Sequence, residues 1–248
     1  MDIIAGMGGT DAWKTSVESI SATNTCYVIS INGLNGSKNP TLPDFENIQK
    51  EILSCLQVEK VEKPVIIGHS FGGFIAMQLV VNHPDFFRKL ILIDSYPFEI
   101  SIFNPAISPE MGIQQAAIVK KQFTDLPEPT YTAFWTQNVQ QFTADTLFQK
   151  LILQKIIESD KNYIAEAQSY VLSHDLRAGL KNIQCSVIAL CSSFAYRQAG
   201  LNEDVVKERI EEQFSNIKDC NIFIRDDTRH FKMLNSKDWY LEIIRKNI

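Results

Sequence analysis

The sequence predicts an α/β protein: a mostly parallel sheet covered by helices on both faces, with an inserted helical cap. Three observations predict it. Short apolar, β-branched runs alternate with amphipathic helical stretches at the spacing of strand–helix–strand units. From about Phe98 to Asp175 this alternation stops and only helical patterns remain, after which it resumes. The 248 residues, 45% hydrophobic and 21% charged, suit one α/β core with room for such an insertion. The expected division is a core of residues 1–97 and 176–248 and a cap of residues 98–175.

The elements follow in order. Ile3-Ile4-Ala5 reads as a strand running into the glycine loop Gly6-Met7-Gly8-Gly9, and Thr10 or Asp11 then caps a helix to about Ile20. Cys26 to Asn32, rich in β-branched and aromatic residues, reads as a strand closed by Asn32-Gly33 and Asn35-Gly36. Asp44 begins a helix with Phe45, Ile48, Ile52, Leu53 and Leu56 on one face. Pro64 to Gly68 is a fully apolar strand of the kind parallel sheets bury, followed by a helix that ends near His83-Pro84. Lys89 to Ile93 is the next strand, ending at Asp94. Cap helices are expected from Pro109 to Phe123, Thr130 to Val139, Asp145 to Ser159 and Lys161 to Ser173. Strands then return at Cys185 to Leu190 and Asn221 to Arg225, with helices from Glu203 to Phe214 and Lys237 to Arg245.

Composition excludes several classes of function. A net charge of −5 gives no basic field to draw the chain to nucleic acid. No apolar run reaches the ~18–20 residues a membrane span needs. The cysteines Cys26, Cys55, Cys185, Cys191 and Cys220 are odd in number, and none forms a C-x-x-C pair. Scattered thiols and the absence of a signal-peptide pattern lead to an expectation of a cytoplasmic protein. No zinc-ligand spacing occurs, so neither a metal nor a cofactor is expected. The oligomeric state is left open.

Gly68-His69-Ser70-Phe71-Gly72-Gly73 carries the chemistry. It contains G-x-S-x-G between a predicted strand and a predicted helix, the context a nucleophile elbow requires. The glycines remove side chains that would collide where strand meets helix. The serine is held in a strained turn with the positive end of the helix behind it. A serine nucleophile needs a base, and four histidines are available. His69 lies inside the elbow with its side chain directed into the core, His83 sits at a helix end, and His174 adjoins Asp175. His230 lies in Asp226-Asp-Thr-Arg-His-Phe231, a loop at the carboxyl edge of the last strand, from which it can reach Ser70.

On these residues, together with the Ala5–Gly9 and Asn32–Gly36 loops, the chain resembles the α/β-hydrolase-fold serine hydrolases. The resemblance implies Ser70 as nucleophile and His230 as general base, with the backbone N–H groups of Met7 and Phe71 as the oxyanion hole. The chain departs from the family in three places. Ala5 stands where histidine usually precedes the glycine loop. There is no room before Ile3 for the usual hairpin, so the sheet is expected to lack the first two strands, with Cys26 to Asn32 at its edge. The usual place for the acid, after the strand ending at Leu190, reads Cys191-Ser-Ser-Phe194 and holds no carboxylate. The resemblance then points to Asp94, since some family members place the acid after the strand that follows the elbow helix and this keeps the family's chain order, with Asp204, Asp227 or no acid as alternatives. Asp175 reads as a helix cap or a partner of Arg177, and Tyr196, Arg197 and Arg229 as ordinary loop residues.

Among the cap aromatics, Phe98, Phe103, Phe123, Tyr131, Phe134, Trp135 and Phe142, most are expected to pack the cap on the core and a minority to line an apolar pocket over Ser70. The resulting expectation is a serine hydrolase of a small molecule with an apolar part. It would cleave a carboxylic ester, or a related thioester, lactone or amide, through an acyl-enzyme. The competing expectation is a non-catalytic ligand-binding protein on the same fold.

Overall fold

The structure is a computed structural model that describes residues 2–4, by backbone alone, and residues 10–39 and 41–248. Six parallel strands form one sheet: β1 (Asp2–Ile4), β2 (Tyr27–Ile29), β3 (Val65–His69), β4 (Lys89–Ile93), β5 (Ser186–Ser192) and β6 (Cys220–Arg225), in the order β2-β1-β3-β4-β5-β6. The order reverses direction at β1, as crossovers on both faces demand. Every residue of β3 is buried, and so are the last four of β4, which is why both read as unbroken apolar runs. On β6, at the sheet's edge, Asn221 and Phe223 face solvent and intermediate residues lie between them.

Helices α1 (Lys14–Ile20), α2 (Phe45–Val58) and α3 (Phe71–Asn82) connect the first four strands. Asp44 caps α2 by accepting the backbone N–H of Asn47. Helix α3 is apolar on all sides and buried from Phe71 through Val80, the signature of a helix enclosed by other elements. Between β4 and β5 lie α4 (Ile100–Phe103), α5 (Pro109–Asp125), α6 (Glu128–Asn138), α7 (Thr146–Glu158) and α8 (Lys161–Ser173). Ser108, Asp145 and Asp160 cap α5, α7 and α8. Pro109 at the start of α5 has no N–H to leave unsatisfied. Helices α9 (Phe194–Gln198), α10 (Glu203–Gln213), α11 (Lys232–Asn235) and α12 (Lys237–Asn247) complete the chain.

The expected strands and long helices are present, with β2 narrower than the expected Cys26 to Asn32. It pairs only with the three residues of β1, and Asn32-Gly33 turns the chain away. The single-turn helices α4, α9 and α11 are not predicted by the sequence, because one turn carries too little periodicity to read. Helices α5 and α8 pack closely against each other through Gly112. A Cβ there would lie 2.9 Å from the Phe98 ring and 3.0 Å from the Leu172 carbonyl. The Asn32–Gly36 loop docks on the α7–α8 turn: Gly36 N–H donates to Ser159 Oγ at 2.8 Å and Lys38 Nζ to the Ser159 carbonyl at 2.7 Å. Gly33, at φ +94, leaves the space the Tyr163 ring occupies. No described helix is long and apolar enough to cross a membrane.

Candidate active site

The site is built where β3, β4 and β5 end. Three backbone bonds join neighbouring strands at this edge: Ser70 N–H donates to the Ile93 carbonyl, Asp94 N–H to the Leu190 carbonyl and Ser193 N–H to the Arg225 carbonyl. Ser70 and Asp94 both take positive φ, 53° and 46°, at an expected cost of ~1–3 kcal/mol each. The turn at Ser70 is tight because Gly68 and Gly73 touch. A Cβ on Gly68 would lie 2.4 Å from Gly73 Cα, and one on Gly73 would lie 2.6 Å from Ser95 Cβ. The sequence Gly-x-Ser-x-x-Gly is thus a steric requirement of this elbow. Phe71 opens α3, so its N–H belongs to the first turn, where helical amides have no intrahelical acceptor.

The structure brings His230 and Asp94 together. His230 Nδ1–H donates to Asp94 Oδ2 at 2.8 Å, which leaves Nε2 as the ring's free nitrogen. Asp94 Oδ1 accepts the Ser192 backbone N–H at 2.9 Å and the Tyr96 hydroxyl at 3.0 Å. These contacts explain how a carboxylate from β4 comes to stand beside His230. The end of β5 carries no carboxylate, and it turns a backbone N–H toward one that arrives from β4. Ser70, Asp94 and His230 line one cavity, and no hydrogen bond joins Ser70 Oγ to His230 among the described residues. Met7 lies outside the described residues.

The alternative acids lie elsewhere. Asp204 is exposed in the first turn of α10, where Asn202 caps its N–H, and Asp227 is exposed and ion-paired with Arg225. Asp175 holds Arg177 through both carboxylate oxygens. His83 caps α3 and is exposed, and His174 stacks on Tyr170. Arg197 pairs with Asp226 and Glu203. Tyr196 differs from its expected role as an ordinary loop residue. It is buried, lines the cavity and donates its hydroxyl to Glu99 at 3.2 Å. The single turn of α9, invisible in the sequence, turns it inward.

Three further residues surround the site, and two of them, Lys232 and Glu99, carry no mark in the sequence. Lys232 is fully buried, and its Nζ forms an ion pair with Asp94 Oδ1 at 2.6 Å. Burial alone would push the Asp94 carboxyl up. The Lys232 ammonium, and after it the His230 hydrogen bond, more than reverse this and hold it well below the usual carboxylate range. His69, whose imidazole is pushed down by burial and then by the charge of His230, is a neutral ring whose Nε2–H donates to the His230 carbonyl at 3.1 Å. It clamps the histidine loop from below. Glu99, beside the cavity, carries a carboxyl raised by burial.

The histidine loop is also tied to the inserted helices. Phe231 N–H donates to the Phe142 carbonyl, and Arg229 donates to the carbonyls of Gln140 and Thr143. Phe103 and Phe142 line the cavity, while Phe123 and Trp135 stack on each other away from it. Among the described residues no three His, Cys, Asp or Glu side chains are arranged to hold a metal ion.

Residues 3–171 match the family model described as the alpha/beta hydrolase fold. The (lyso)-N-acylphosphatidylethanolamine lipase of Homo sapiens is 29% identical over 104 residues, 40% of this chain and 30% of that protein. The pimeloyl-(acyl-carrier protein) methyl ester esterase of Vibrio atlanticus is 27% identical over 92 residues, 37% of this chain and 34% of its own. The aligned part is thus about a third of either relative's length. Among solved structures, MenH from S. aureus superposes with a TM-score of 0.77 at 15% identity, covering 99% of this chain and 91% of that one. The enol-lactonase from Burkholderia xenovorans LB400 gives 0.76 at 14% identity, covering 99% and 89%. At such identities these two likenesses speak to the fold alone.

Proposed function

The chain belongs to the alpha/beta hydrolase fold family, and from that premise we propose that it is a serine hydrolase cleaving carboxylic esters through an acyl-enzyme. One observation carries the reading: a strained elbow serine shares a cavity with a histidine whose far nitrogen is fixed by a largely buried carboxylate. The lipase and esterase named among its relatives support ester chemistry, with thioesters, lactones and amides as near variants.

In this mechanism Ser70 Oγ attacks the ester carbonyl as His230 Nε2 takes its proton. Nδ1–H stays donated to Asp94, which steadies the imidazolium. The oxyanion is held by the N–H of Phe71 at the start of α3. Collapse breaks the ester C–O bond, and the leaving alkoxide takes the proton from His230. Water, deprotonated by the same nitrogen, then releases the acid and restores Ser70. Residues 98–175 act as a cap whose apolar wall excludes water and receives the substrate's apolar part.

A second reading, a ligand-binding protein without turnover, is favoured by the missing Ser70–His230 hydrogen bond, although such bonds often tighten only with substrate. Turnover of p-nitrophenyl butyrate separates the two. The expected result is steady hydrolysis that Ser70→Ala lowers by at least about 10³-fold with an unchanged Tm. Equal rates for both proteins would favour the binding reading.

A further inference from the structure

We propose that Glu99, with the rings of Tyr96, Phe103 and Tyr196, forms a subsite for an ammonium group, so that the preferred substrates are cationic esters. This rests on the hydrolase reading and specifies its substrate class.

The first observation is charge. Among the described residues two carboxyls line the cavity that holds Ser70: Asp94 and Glu99. Asp94 is already matched by Lys232. Glu99 has no ion-pair partner among the described residues, and its one hydrogen bond is from the Tyr196 hydroxyl. No lysine or arginine is among the described residues lining the cavity. Arg229, next to His230 in sequence, is held on two carbonyls and stacks over Phe194, 5.2 Å from the ring centroid.

The second observation is independent of charge. Tyr96 and Tyr196 meet edge to face at 6.1 Å between centroids, and Phe103 packs on Tyr196 at 4.8 Å. An aromatic wall beside an unmatched carboxylate is the chemistry that recognises an ammonium ion, particularly a weakly hydrated quaternary one. Phe103 is 47% exposed, so this wall extends to the rim. A bound cation would restore what burial takes from the Glu99 carboxylate, whose proton affinity is raised chiefly by desolvation. Ser70 and Glu99 are both among the described residues lining two neighbouring pockets, so the charge preference is tested on either side of the ester bond.

The test uses charge isosteres. Butyrylcholine is compared with the ester in which a tert-butyl group replaces its trimethylammonium. On the acyl side, the p-nitrophenyl ester of trimethylammonio-butyric acid is compared with its tert-butyl counterpart. The expected result is a kcat/KM at least about tenfold higher for the cationic member of one pair, falling to near parity in Glu99→Gln. Phe103→Ala, at a half-exposed position, is expected to narrow the preference as well. Parity in the wild type for both pairs, or a preference unchanged in Glu99→Gln, overturns the subsite.

Fluorophosphonate labelling of Ser70 is run alongside. Labelling without charge preference overturns only this inference. No labelling and no turnover overturns the hydrolase reading. In that case tetramethylammonium chloride decides the subsite. A rise in Tm over equal sodium chloride, lost in Glu99→Gln, supports it, and no rise overturns it.

Discussion

Replacing Asp94 with asparagine is expected to lower kcat about 10⁴-fold, the order that the same exchange costs in a serine-protease triad. Asparagine keeps the shape of the carboxyl but presents neutral atoms. It no longer selects the tautomer with hydrogen on Nδ1, nor does it steady the imidazolium. Here the exchange has a second cost, because the buried Lys232 ammonium loses the anion 2.6 Å away. The variant is therefore expected to melt at lower temperature as well as to turn over slowly, and measurements made well below its Tm separate the two effects. Asp204→Asn and Asp227→Asn, both at exposed positions and neither the partner of His230 Nδ1, are expected to stay within about twofold of wild type. A slow Asp204 or Asp227 variant beside an active Asp94→Asn would reassign the acid.

Lys232→Met gives the second large effect, on stability. Removing one partner of a buried pair typically costs about 3–5 kcal/mol. In a domain of this size that corresponds to a Tm lower by roughly 6–20 °C at neutral pH. The loss is expected to shrink in acid, and the sign follows from Asp94. A carboxyl depressed in the folded state contributes stability that is fully present above its unfolded pKa of about 3.9, and this is lost as pH falls toward the folded value. Lys232 is the largest contributor to that depression, so its removal raises the folded value and reduces the acid-sensitive share. Melting curves at pH 7, 5 and 3 check this. The gap between wild type and Lys232→Met should be widest at pH 7 and narrow below about pH 4. A constant gap would mean that Lys232 acts through packing alone.

These residues show where the sequence is informative. Ser70 is legible because its requirements are local: glycines at fixed offsets, a strand before and a helix after. His230 is legible by elimination among four histidines and by its place after the last strand. Asp94 is legible only as the carboxylate ending β4, because a strand-end aspartate so often caps a turn. What distinguishes it is the Ser192 N–H, 98 residues away. Lys232 carries no such mark. In His-Phe-Lys-Met-Leu-Asn it reads as the polar residue of a short helix, and its burial depends on an anion supplied by another strand. The inward direction of His69 is legible from its place in the elbow, but its acceptor, the carbonyl of His230, lies 161 residues on. Glu99 follows the buried Phe98 in a segment whose aromatic content draws attention first. The long helices were legible from caps and apolar faces, and the single turns α4, α9 and α11 were not, although two of them place Tyr196 and Lys232.

The central claim is that Ser70 is an activated nucleophile, and the direct measurement is intact mass after exposure to a fluorophosphonate, followed by peptide mapping. The account predicts one adduct per chain, located on Ser70, and its loss in His230→Ala. A folded protein that takes up no adduct, or one labelled equally well without His230, would contradict it.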